Sequence, residues 1–286
     1  MRASIAILTH QQQGLSPKSH LGYILRESWA PEGRRVVVHQ GLKRPPPADL
    51  GFLHVDLTTV PESYRQLGAA YPRCVNGAAP AIAKRRISRH LLGAEDAYDG
   101  PVLVKTDLNH AGVPERRLAL ASAGRWRRLV ERLRRALPPA WTGCLRDDRY
   151  LLFERRSQVP DWVWRAPGLV VERFLVERRG DLYAMHMWFF LGDRDAVGTS
   201  LASAPLVKGE NTVQRLPPHE DVPESLRQRR RELGFDYGKF DYVIVEGEAV
   251  LFDASRTPHA SRNGLSERGR EICRRLAPGI DRFLGR

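Results

Sequence analysis

Two aspartates near the C-terminal end of the chain, Asp241 and Asp253, have the residue type and spacing of metal ligands. They lie in two runs rich in apolar and β-branched residues, Lys239–Val245 and Ala249–Ser255, which a short turn centred on Gly247 separates. This pattern predicts a β-hairpin. If its strands pair symmetrically about the glycine, the two aspartates face each other.

Facing carboxylates on an apolar hairpin repel each other, because directly opposed Cβ atoms are about 4.5–5.5 Å apart. Mg2+ commonly binds one or two carboxylates together with substrate phosphates, so such an ion would remove the repulsion. Ser255 lies two residues after Asp253 and therefore points to the same face. The stretch predicts a magnesium site formed by Asp241, Asp253 and Ser255. Two alternatives stay open: the aspartates lie at an exposed strand end and in a turn, or a bulge shifts the register by one residue and separates them.

The chain has 286 residues and a formal net charge of +13, and 40 of its 46 basic residues are arginines. A positive net charge of this size suggests nucleic acid as a possible partner. The sequence contains no nucleic-acid-binding motif and no basic stripe interleaved with aromatic residues, which makes that partner the less favoured one. We predict a solvated arginine-rich surface, whose field also suits an acidic substrate such as a nucleotide.

Lysine is rare, and four of the six lysines fall in segments with structural or functional patterns: Lys84, Lys105, Lys208 and Lys239. A compact ammonium group differs from a planar guanidinium when it contacts a phosphate as a point charge. These lysines are therefore candidate phosphate contacts.

Composition and cysteine usage indicate an ordinary globular protein, with 42% hydrophobic and 28% charged residues. Cys74, Cys144 and Cys273 are widely spaced and form no CxxC pair, which favours a reducing compartment and carries no disulfide or metal signal. The first apolar run is too short for a secretory signal, and no run has the length of a membrane span. We expect a cytoplasmic protein with no membrane partner. Homo-oligomerisation is left open.

Strands alternate with helices in residues 1–78, which predicts an N-terminal α/β domain with a parallel sheet. The predicted elements are strands over residues 2–9, Arg35–His39 and Leu50–Leu57, and helices over Tyr23–Trp29 and Glu62–Tyr71. This domain has no GxGxxG fingerprint, and the polar loop His10–Gly14 at its first strand end is a candidate substrate position.

Two further parts are predicted after the N-terminal domain, giving an α/β (α+β) chain in three parts. Residues 79–168 are expected to form a linker helix, a strand, an amphipathic helix and a second strand: Ala79–Leu92, Val102–Thr106, Gly124–Leu137 and Tyr150–Glu154. Residues 169–286 are expected to contain a long strand, a helix, the hairpin and closing helices: Tyr183–Leu191, Glu224–Leu233, Asp236–Pro258 and Leu265–Leu284.

Five motifs follow one another in an order that resembles the ATP-grasp superfamily. They are Lys84 after a Val-Asn-Gly turn, the LVKT strand with Lys105, the VERFL segment, Lys208 and the hairpin. The match covers residues 75–258 well and the N-terminal domain only in outline. The resemblance implies an ATP-grasp fold, in which residues 79–168 contain the lid, residues 169–286 form a mixed or antiparallel sheet, and a nucleotide is held between two β-rich subdomains.

The resemblance also implies roles for individual residues. The implied nucleotide contacts are Lys84 and Lys105 at the phosphates, the closing loop Asn109, His110 and Gly112, the adenine-binding strand Glu172, Arg173, Phe174 and Leu175, and Glu177 or Asp181 at the ribose. The implied magnesium ligands are Asp241, Asp253 and Ser255, in agreement with the hairpin argument. The family commonly has Glu and then Asn where this chain has Asp253 and Ser255, and its phosphate loop has more glycine than the single Gly112. Because of the residues at 253 and 255, the sequence leaves open whether a second magnesium ion binds.

Structural roles were weighed for the same residues. Lys105 could be an edge-strand lysine that prevents aggregation, and Glu172 could form a surface ion pair. His186 fits a half-buried histidine with satisfied hydrogen bonds better than a ligand or a base. Arg215 and Arg256 either bind an acyl-phosphate oxygen or are solvated.

The function that this reasoning favours is an ATP- and Mg2+-dependent ligase, with ATP and Mg2+ as cofactors. A carboxylate of a small molecule or peptide becomes an acyl phosphate, and an amine or thiol then displaces phosphate, with Lys208, Arg215 and Arg256 as candidate catalytic residues. This chemistry needs positioning and charge neutralisation more than a protein nucleophile. The alternatives are a small-molecule kinase of ATP-grasp type and a non-catalytic protein that binds nucleotide or nucleic acid.

Overall fold

The computed structural model describes residues 3–13, 20–31, 33–79, 81–145, 149–259 and 266–285. The chain divides into two compact units. The larger unit comprises Met1–Asp56, Val60–Pro80 and Val176–Arg286, and the smaller unit comprises Leu57–Thr59 and Ala81–Leu175. The predicted division into three parts stays a prediction.

The strands, in chain order, are β1 Ser4–Thr9, β2 Arg35–Gln40, β3 Leu50–Leu53, β4 Cys74–Val75, β5 Leu91–Leu92, β6 Val102–Thr106, β7 Leu151–Phe153, β8 Leu169–Arg173, β9 Glu177–Arg179, β10 Leu182–Leu191, β11 Arg194–Ala202, β12 Thr212–Arg215, β13 Tyr237–Val245 and β14 Glu248–Ser255. The α-helices are α1 Leu21–Trp29, α2 Glu62–Ala69, α3 Lys84–Ile87, α4 Val113–Ala121, α5 Arg125–Ala136, α6 Pro139–Thr142, α7 Asp161–Arg165, α8 Glu224–Leu233, α9 Glu267–Leu276 and α10 Asp281–Leu284. Short 3-10 helices are Asn109–Gly112, Arg156–Gln158 and Ala277–Ile280.

The larger unit contains the predicted parallel sheet, in the order β2-β1-β3-β4. The apolar runs of β1 and β3 are buried on both faces, as parallel strands usually are. The fold class is therefore confirmed as mixed α/β. Residue 2 of the first predicted strand, Gly14 of the polar loop and Leu265 of the closing helices lie outside the described residues.

An antiparallel sheet fills the rest of the larger unit, in the order β12-β11-β10-β13-β14, with β9 paired to β10. One hydrophobic core joins the two sheets: Ile7 and Phe52 from the parallel sheet cluster with Phe189 and Tyr237 from the antiparallel one. Helices α1 and α9 contribute to the same core, and the Trp29 indole donates a hydrogen bond to the Ala277 carbonyl (2.9 Å).

The smaller unit is built on an antiparallel sheet in the order β5-β8-β6-β7. Its core contains alternate residues of the central strands, Val102 and Val104 from β6 and Leu169 and Val171 from β8, with Val163 from α7. The remaining side chains of these strands point to the opposite face.

The linker helix predicted over Ala79–Leu92 is wrong for most of its length. Only Lys84–Ile87 is helical, and Ser88 has an extended conformation with ψ of 142°. The carboxylate of Asp107 accepts a hydrogen bond from the Arg85 amide (2.9 Å), so tertiary contacts override local helix propensity here. Among the described residues, no helix is both long and apolar enough to cross a membrane.

Candidate active site

The hairpin β13–β14 turns through two residues and not three. Glu246 and Gly247 have φ angles of 53° and 82°, the sign that a type I′ turn requires at both central positions. Val245 consequently pairs with Glu248. The predicted symmetric pairing about Gly247 was therefore wrong by one residue.

A β-bulge cancels this shift before the strands reach the aspartates. Tyr242 pairs with Leu251, and the residue before it in the chain, Asp241, pairs with Asp253. Phe252 is therefore the extra, unpaired residue of the bulge. The prediction that the two aspartates face each other is confirmed. A bulge is one of the two alternatives to facing aspartates in the sequence, yet here the bulge brings them together.

The next pair along the ladder joins Lys239 to Ser255, so the face carries one ammonium group, two carboxylates and one hydroxyl. We call Lys239, Asp241, Asp253 and Ser255 the hairpin cluster. The Lys239 Nζ atom lies 2.8 Å from Oδ2 of Asp241, and about a fifth of each side chain is exposed. Burial lowers the pKa of Lys239, but its contacts with Asp241 and the nearby charge of Asp253 outweigh burial and raise the pKa overall. The lysine therefore carries part of the charge that balances the two acids.

The hairpin cluster offers only oxygen atoms as candidate metal ligands, which suits a hard cation such as Mg2+. Its donors are carboxylate and hydroxyl oxygens, which Mg2+ prefers, and two carboxylates are as many as such a site commonly uses. Across the described ranges, no group of three or more His, Cys, Asp or Glu side chains is arranged to hold a metal. Asp241, Asp253 and Ser255 would hold Mg2+, and the ion would compete with the Lys239 ammonium for Asp241.

The smaller unit contains a buried ion pair between the strands β6 and β8. Lys105 Nζ lies 2.5 Å from Oε2 of Glu172, with side chains 6% and 0% exposed. Strand β6 lies between β8 and β7, so the alternative of an edge-strand lysine is wrong, as is that of Glu172 in a surface ion pair. Burial of a charge pair away from water has a considerable free-energy cost. Because the pair is retained despite this cost, these residues are candidates for a binding site.

Lys84 and the loop Asn109–Gly112 lie at the end of β6 in the same unit. The Lys84 side chain is buried, and its backbone amide donates to the Asp107 carbonyl (3.0 Å). Asn109 is also buried, and its amide donates to the hydroxyl of Thr58 (2.8 Å). These hydrogen bonds fix both ends of the segment that follows the LVKT strand.

The loop residues His110, Ala111 and Gly112 adopt left-handed backbone conformations in succession, with φ angles of 44°, 54° and 70°. Only the glycine adopts this region without strain. Strained residues of this kind cluster at ligand clamps and active sites. The loop therefore has a feature of a phosphate-contacting segment that its single glycine did not reveal.

In the segment predicted to bind adenine, the backbone amides of Arg173 and Phe174 already donate hydrogen bonds within the protein. The Arg173 amide donates to the His90 carbonyl (3.0 Å) and the Phe174 amide to the Pro101 carbonyl (2.8 Å). The Arg173 guanidinium lies 4.9 Å from the ring centre of Tyr98. Adenine contacts from this strand would thus come from carbonyl groups or from Leu175.

Glu177, one of the two ribose candidates, belongs to a buried network in the larger unit. Its Oε2 atom accepts a hydrogen bond from the Ile244 amide (2.7 Å) and lies 2.8 Å from His186 Nε2. His186 Nδ1 lies 2.9 Å from the hydroxyl of Thr199. Burial raises the pKa of Glu177, but its hydrogen bonds to His186 and Ile244, with that to Arg179, outweigh burial and lower the pKa to about 2. His186 is thus a satisfied histidine, as predicted, whereas Asp181 is exposed and more accessible to a ribose.

The three candidate catalytic residues lie in different surroundings. Lys208 is half-buried in a loop closed by Asn211, whose side-chain oxygen accepts from the Lys208 amide (2.8 Å). Arg215 is exposed on β12. Arg256 is fully buried and donates to the Ala79 carbonyl (2.7 Å), so the alternative of a solvated Arg256 is wrong.

Sequence reasoning missed a histidine cluster in the larger unit, made of His20, His54 and His259. The ring centres of His20 and His54 lie 5.3 Å apart, and those of His20 and His259 lie 4.4 Å apart. His54 is buried at the end of β3 and neither ring nitrogen has a hydrogen-bond partner. The three positions are too far apart in sequence for spacing to signal the cluster.

No family model matches the chain, and no curated protein matches it significantly. Among solved structures, the chain is similar to a RimK domain protein ATP-grasp from Sphaerobacter thermophilus, at 15% identity and a TM-score of 0.47, over 99% of this chain and 100% of that one. It is also similar to D-alanine–D-alanine ligase from Bacillus anthracis, at 11% identity and a TM-score of 0.48, over 99% and 96% of the two chains.

A third similar structure is macrocyclase MdnC bound with precursor peptide MdnA, from Microcystis aeruginosa, at 9% identity and a TM-score of 0.42 over 88% and 91% of the two chains. The first of these structures bears the name of the superfamily that the motif order resembles. At these identities and TM-scores the likenesses carry no argument about the site or its chemistry.

Proposed function

We propose that the protein is an ATP- and Mg2+-dependent ligase that joins a carboxylate to an amine or a thiol. The single observation that carries the proposal is the pairing of Asp241 with Asp253 in the hairpin cluster, where two acids face each other beside a hydroxyl and a lysine. Such a face is unfavourable unless cations bind to it. A protein that binds magnesium and a triphosphate has a use for it.

In the proposed reaction a substrate carboxylate oxygen attacks the γ-phosphorus of ATP, and the bond to the β,γ-bridging oxygen breaks to release ADP. An amine or thiol then adds to the acyl carbon, and inorganic phosphate leaves. Mg2+ would neutralise charge on the triphosphate. The chain's own contribution is to position the reactants and to stabilise developing negative charge with fixed cations.

The positively charged side chains proposed to contact or position the reactants fall into three groups. Lys84 and Lys105 would contact the phosphates, as would the left-handed loop after β6. Lys208 and Arg215 would contact the group in transfer. Arg256, which is buried and bonded to a backbone carbonyl, would act as a positioning residue for the segment that follows β14.

The direct test is the release of ADP and phosphate when Mg·ATP is supplied with panels of acids and amines. Asp241→Asn should fold normally and lose at least about 99% of the turnover, since Mg2+ loses one of its two carboxylates. Asp193→Asn, at an exposed position in the β10–β11 turn, is the matched control and should keep full activity. Full activity in Asp241→Asn, or transfer of phosphate to a substrate without its release, would contradict the ligase.

One observation favours a second candidate, a nucleotide-binding protein without turnover. Lys239 already pairs with Asp241 at 2.8 Å, and an internal ammonium can balance the carboxylates without a metal. Lys239→Met separates the two functions. It should increase Mg2+ affinity if the acids bind the ion, because the competing ammonium is gone, whereas an internal charge balance predicts a loss of stability with no gain in Mg2+ binding.

A further inference from the structure

Helix α5 has an apolar face that is exposed to solvent within the smaller unit. The side chains of Trp126, Val130 and Leu133 are 80%, 60% and 59% exposed, and Leu129 and Leu137 are each 43% exposed. At 100° per residue the four helical positions lie within one stripe about 100° wide, and Leu137, the residue directly after α5, follows them. We call them the α5 apolar face. No residue of the helix is buried.

The rest of the helix surface is strongly basic. It carries six arginines against one glutamate: Arg125, Arg127, Arg128, Arg132, Arg134, Arg135 and Glu131. On the helical wheel, Arg125 and Arg132 border one edge of the apolar face, and Arg127 and Arg134 border the other. Long arginine stems at such edges can lie along an apolar surface while their charged ends extend to anionic groups.

The α5 apolar face belongs to a helix whose residues are exposed, apart from the partly buried Glu131. It also has an indole at its first turn, and Trp141 in the adjacent helix α6 is 76% exposed. Indoles favour the boundary between an apolar phase and water. An amphipathic helix with apolar and aromatic side chains on one face and arginines on the other is typical of segments that lie in the plane of a membrane surface.

Against the expectation from the sequence of no membrane partner, we propose that α5 binds the surface of membranes that contain anionic phospholipids, with the α5 apolar face inserted between the head groups and the flanking arginines on their phosphates. Charge decides between this occupant and the others. A second copy of the chain would bring two six-arginine helices together. A nucleic acid would neutralise the arginines but leave the exposed Trp126, Val130 and Leu133 in water, whereas an anionic lipid surface satisfies both faces.

The test is sedimentation of the full chain with vesicles of phosphatidylcholine alone or with 30% phosphatidylglycerol. The wild-type protein should bind the anionic vesicles at least tenfold more tightly than the neutral ones. Half-molar salt should weaken the binding, because the attraction between exposed charges is screened. Failure to sediment with anionic vesicles, or equal binding to neutral ones, would overturn the proposal.

Two pairs of matched variants locate the surface. Val130→Ser/Leu133→Ser should reduce binding at least tenfold, whereas Leu42→Ser/Val213→Ser, at exposed apolar positions of the larger unit, should change it less than twofold. Arg127→Glu/Arg134→Glu should abolish binding, whereas Arg65→Glu/Arg231→Glu changes the net charge equally on α2 and α8 and should have a small effect. Circular dichroism confirms that each variant is folded, and equal effects within either pair would refute the assignment to α5.

The same variants detect the competing occupants. Binding of single-stranded RNA that survives Val130→Ser/Leu133→Ser, with no vesicle binding, would replace the proposal by a nucleic-acid surface. A wild-type dimer in light scattering that the same variant dissociates, again with no vesicle binding, would replace it by self-association. This inference concerns α5 alone and does not depend on the proposed ligase.

Discussion

Lys105 and Glu172 form a buried ion pair, and such a pair has a cost in stability. Replacing both charges by apolar groups is often neutral or stabilising, whereas removal of one partner leaves a buried charge. The side chains are 6% and 0% exposed, so solvent screens this pair little. Its retention makes sense if the ammonium group has a second task, such as contact with a phosphate.

Glu172→Gln should therefore lower the free energy of unfolding by about 3 kcal/mol, because Lys105 then loses its buried ion-pair partner. Urea unfolding measures the change. Lys105→Met/Glu172→Leu should be closer to the wild type in stability while losing stabilisation by Mg·ATP. A double variant less stable than the single one, or one that still responds fully to Mg·ATP, would show that the pair is structural only.

His54 gives the protein a specific dependence on pH. Burial lowers the pKa of this imidazole well below its ordinary value, and electrostatic interaction with His20 and His259 lowers the pKa further. Below about pH 6.5 the imidazole of His54 binds a proton in the unfolded chain but stays neutral in the folded chain. The free energy of unfolding should thus fall as pH decreases from 7 to 5, by up to about 1.4 kcal/mol per pH unit from this one site.

Urea unfolding at pH 7.5, 6.5 and 5.5 checks this slope. Burial also lowers the pKa of His10 and His219, and they should add to the slope in the same direction. His54→Leu should flatten the curve over this range, because it removes the buried imidazole. An unchanged slope in that variant would assign the effect to other groups.

The loop after β6 contains two consecutive non-glycine residues with positive φ angles, His110 and Ala111. Ala111 has φ of 54°, and an alanine in this region is strained where a glycine is not. Ala111→Gly should therefore raise the stability by about 0.5–1 kcal/mol even though it increases the freedom of the unfolded chain. Ala119→Gly, at an exposed position inside α4, is the matched control and should lower the stability by about 1 kcal/mol.

Thermal unfolding distinguishes the two glycine variants by the sign of the shift in Tm. If the strained loop also contacts phosphates, Ala111→Gly should weaken the affinity for Mg·ATP at the same time, since the loop loses part of its fixed conformation. Equal destabilisation by both variants would mean that the left-handed conformation of Ala111 is not strained.

The hairpin shows which features of an element the sequence determines. Its existence and the pairing of Asp241 with Asp253 followed from apolar runs and a glycine. The register did not, since Glu246 in a left-handed conformation is uncommon in a type I′ turn and Phe252 carries no signal of a bulge. Two one-residue deviations cancelled, so the prediction about the aspartates was right for an incomplete reason.

At the scale of the whole molecule, long-range contacts account for what the sequence could not predict. Asn76 belongs to the Val-Asn-Gly turn, and its side chain bonds the backbone of Asp236 and Tyr237 at 2.8–3.0 Å, 160 residues away. The core of the larger unit likewise joins N-terminal and C-terminal strands. Alternation of strands and helices predicted the parallel sheet, and the family resemblance implied a mixed or antiparallel one, but local patterns do not indicate which segments share a core.

The distribution of the net charge of +13 is a second property of the whole chain. Arginines of α8 and α9 pair with glutamates on the same helices, as Arg231 does with Glu224 and Arg274 with Glu267, both at 2.8 Å. Such exposed pairs contribute little to stability. They offset part of the charge of these helices, which each carry four arginines and two glutamates, whereas α5, with six arginines and one glutamate, is the more strongly basic surface.

The central claim is that facing acids bind a magnesium ion that accompanies a triphosphate, and isothermal titration calorimetry of ATP into the full chain tests it most directly. We predict one ATP bound per chain in the presence of Mg2+, with at least a tenfold loss of affinity in EDTA and in Asp253→Asn, and none in Asp193→Asn. ATP binding that is equally tight without Mg2+ and in Asp253→Asn would contradict the account, as would no binding by the folded wild-type protein.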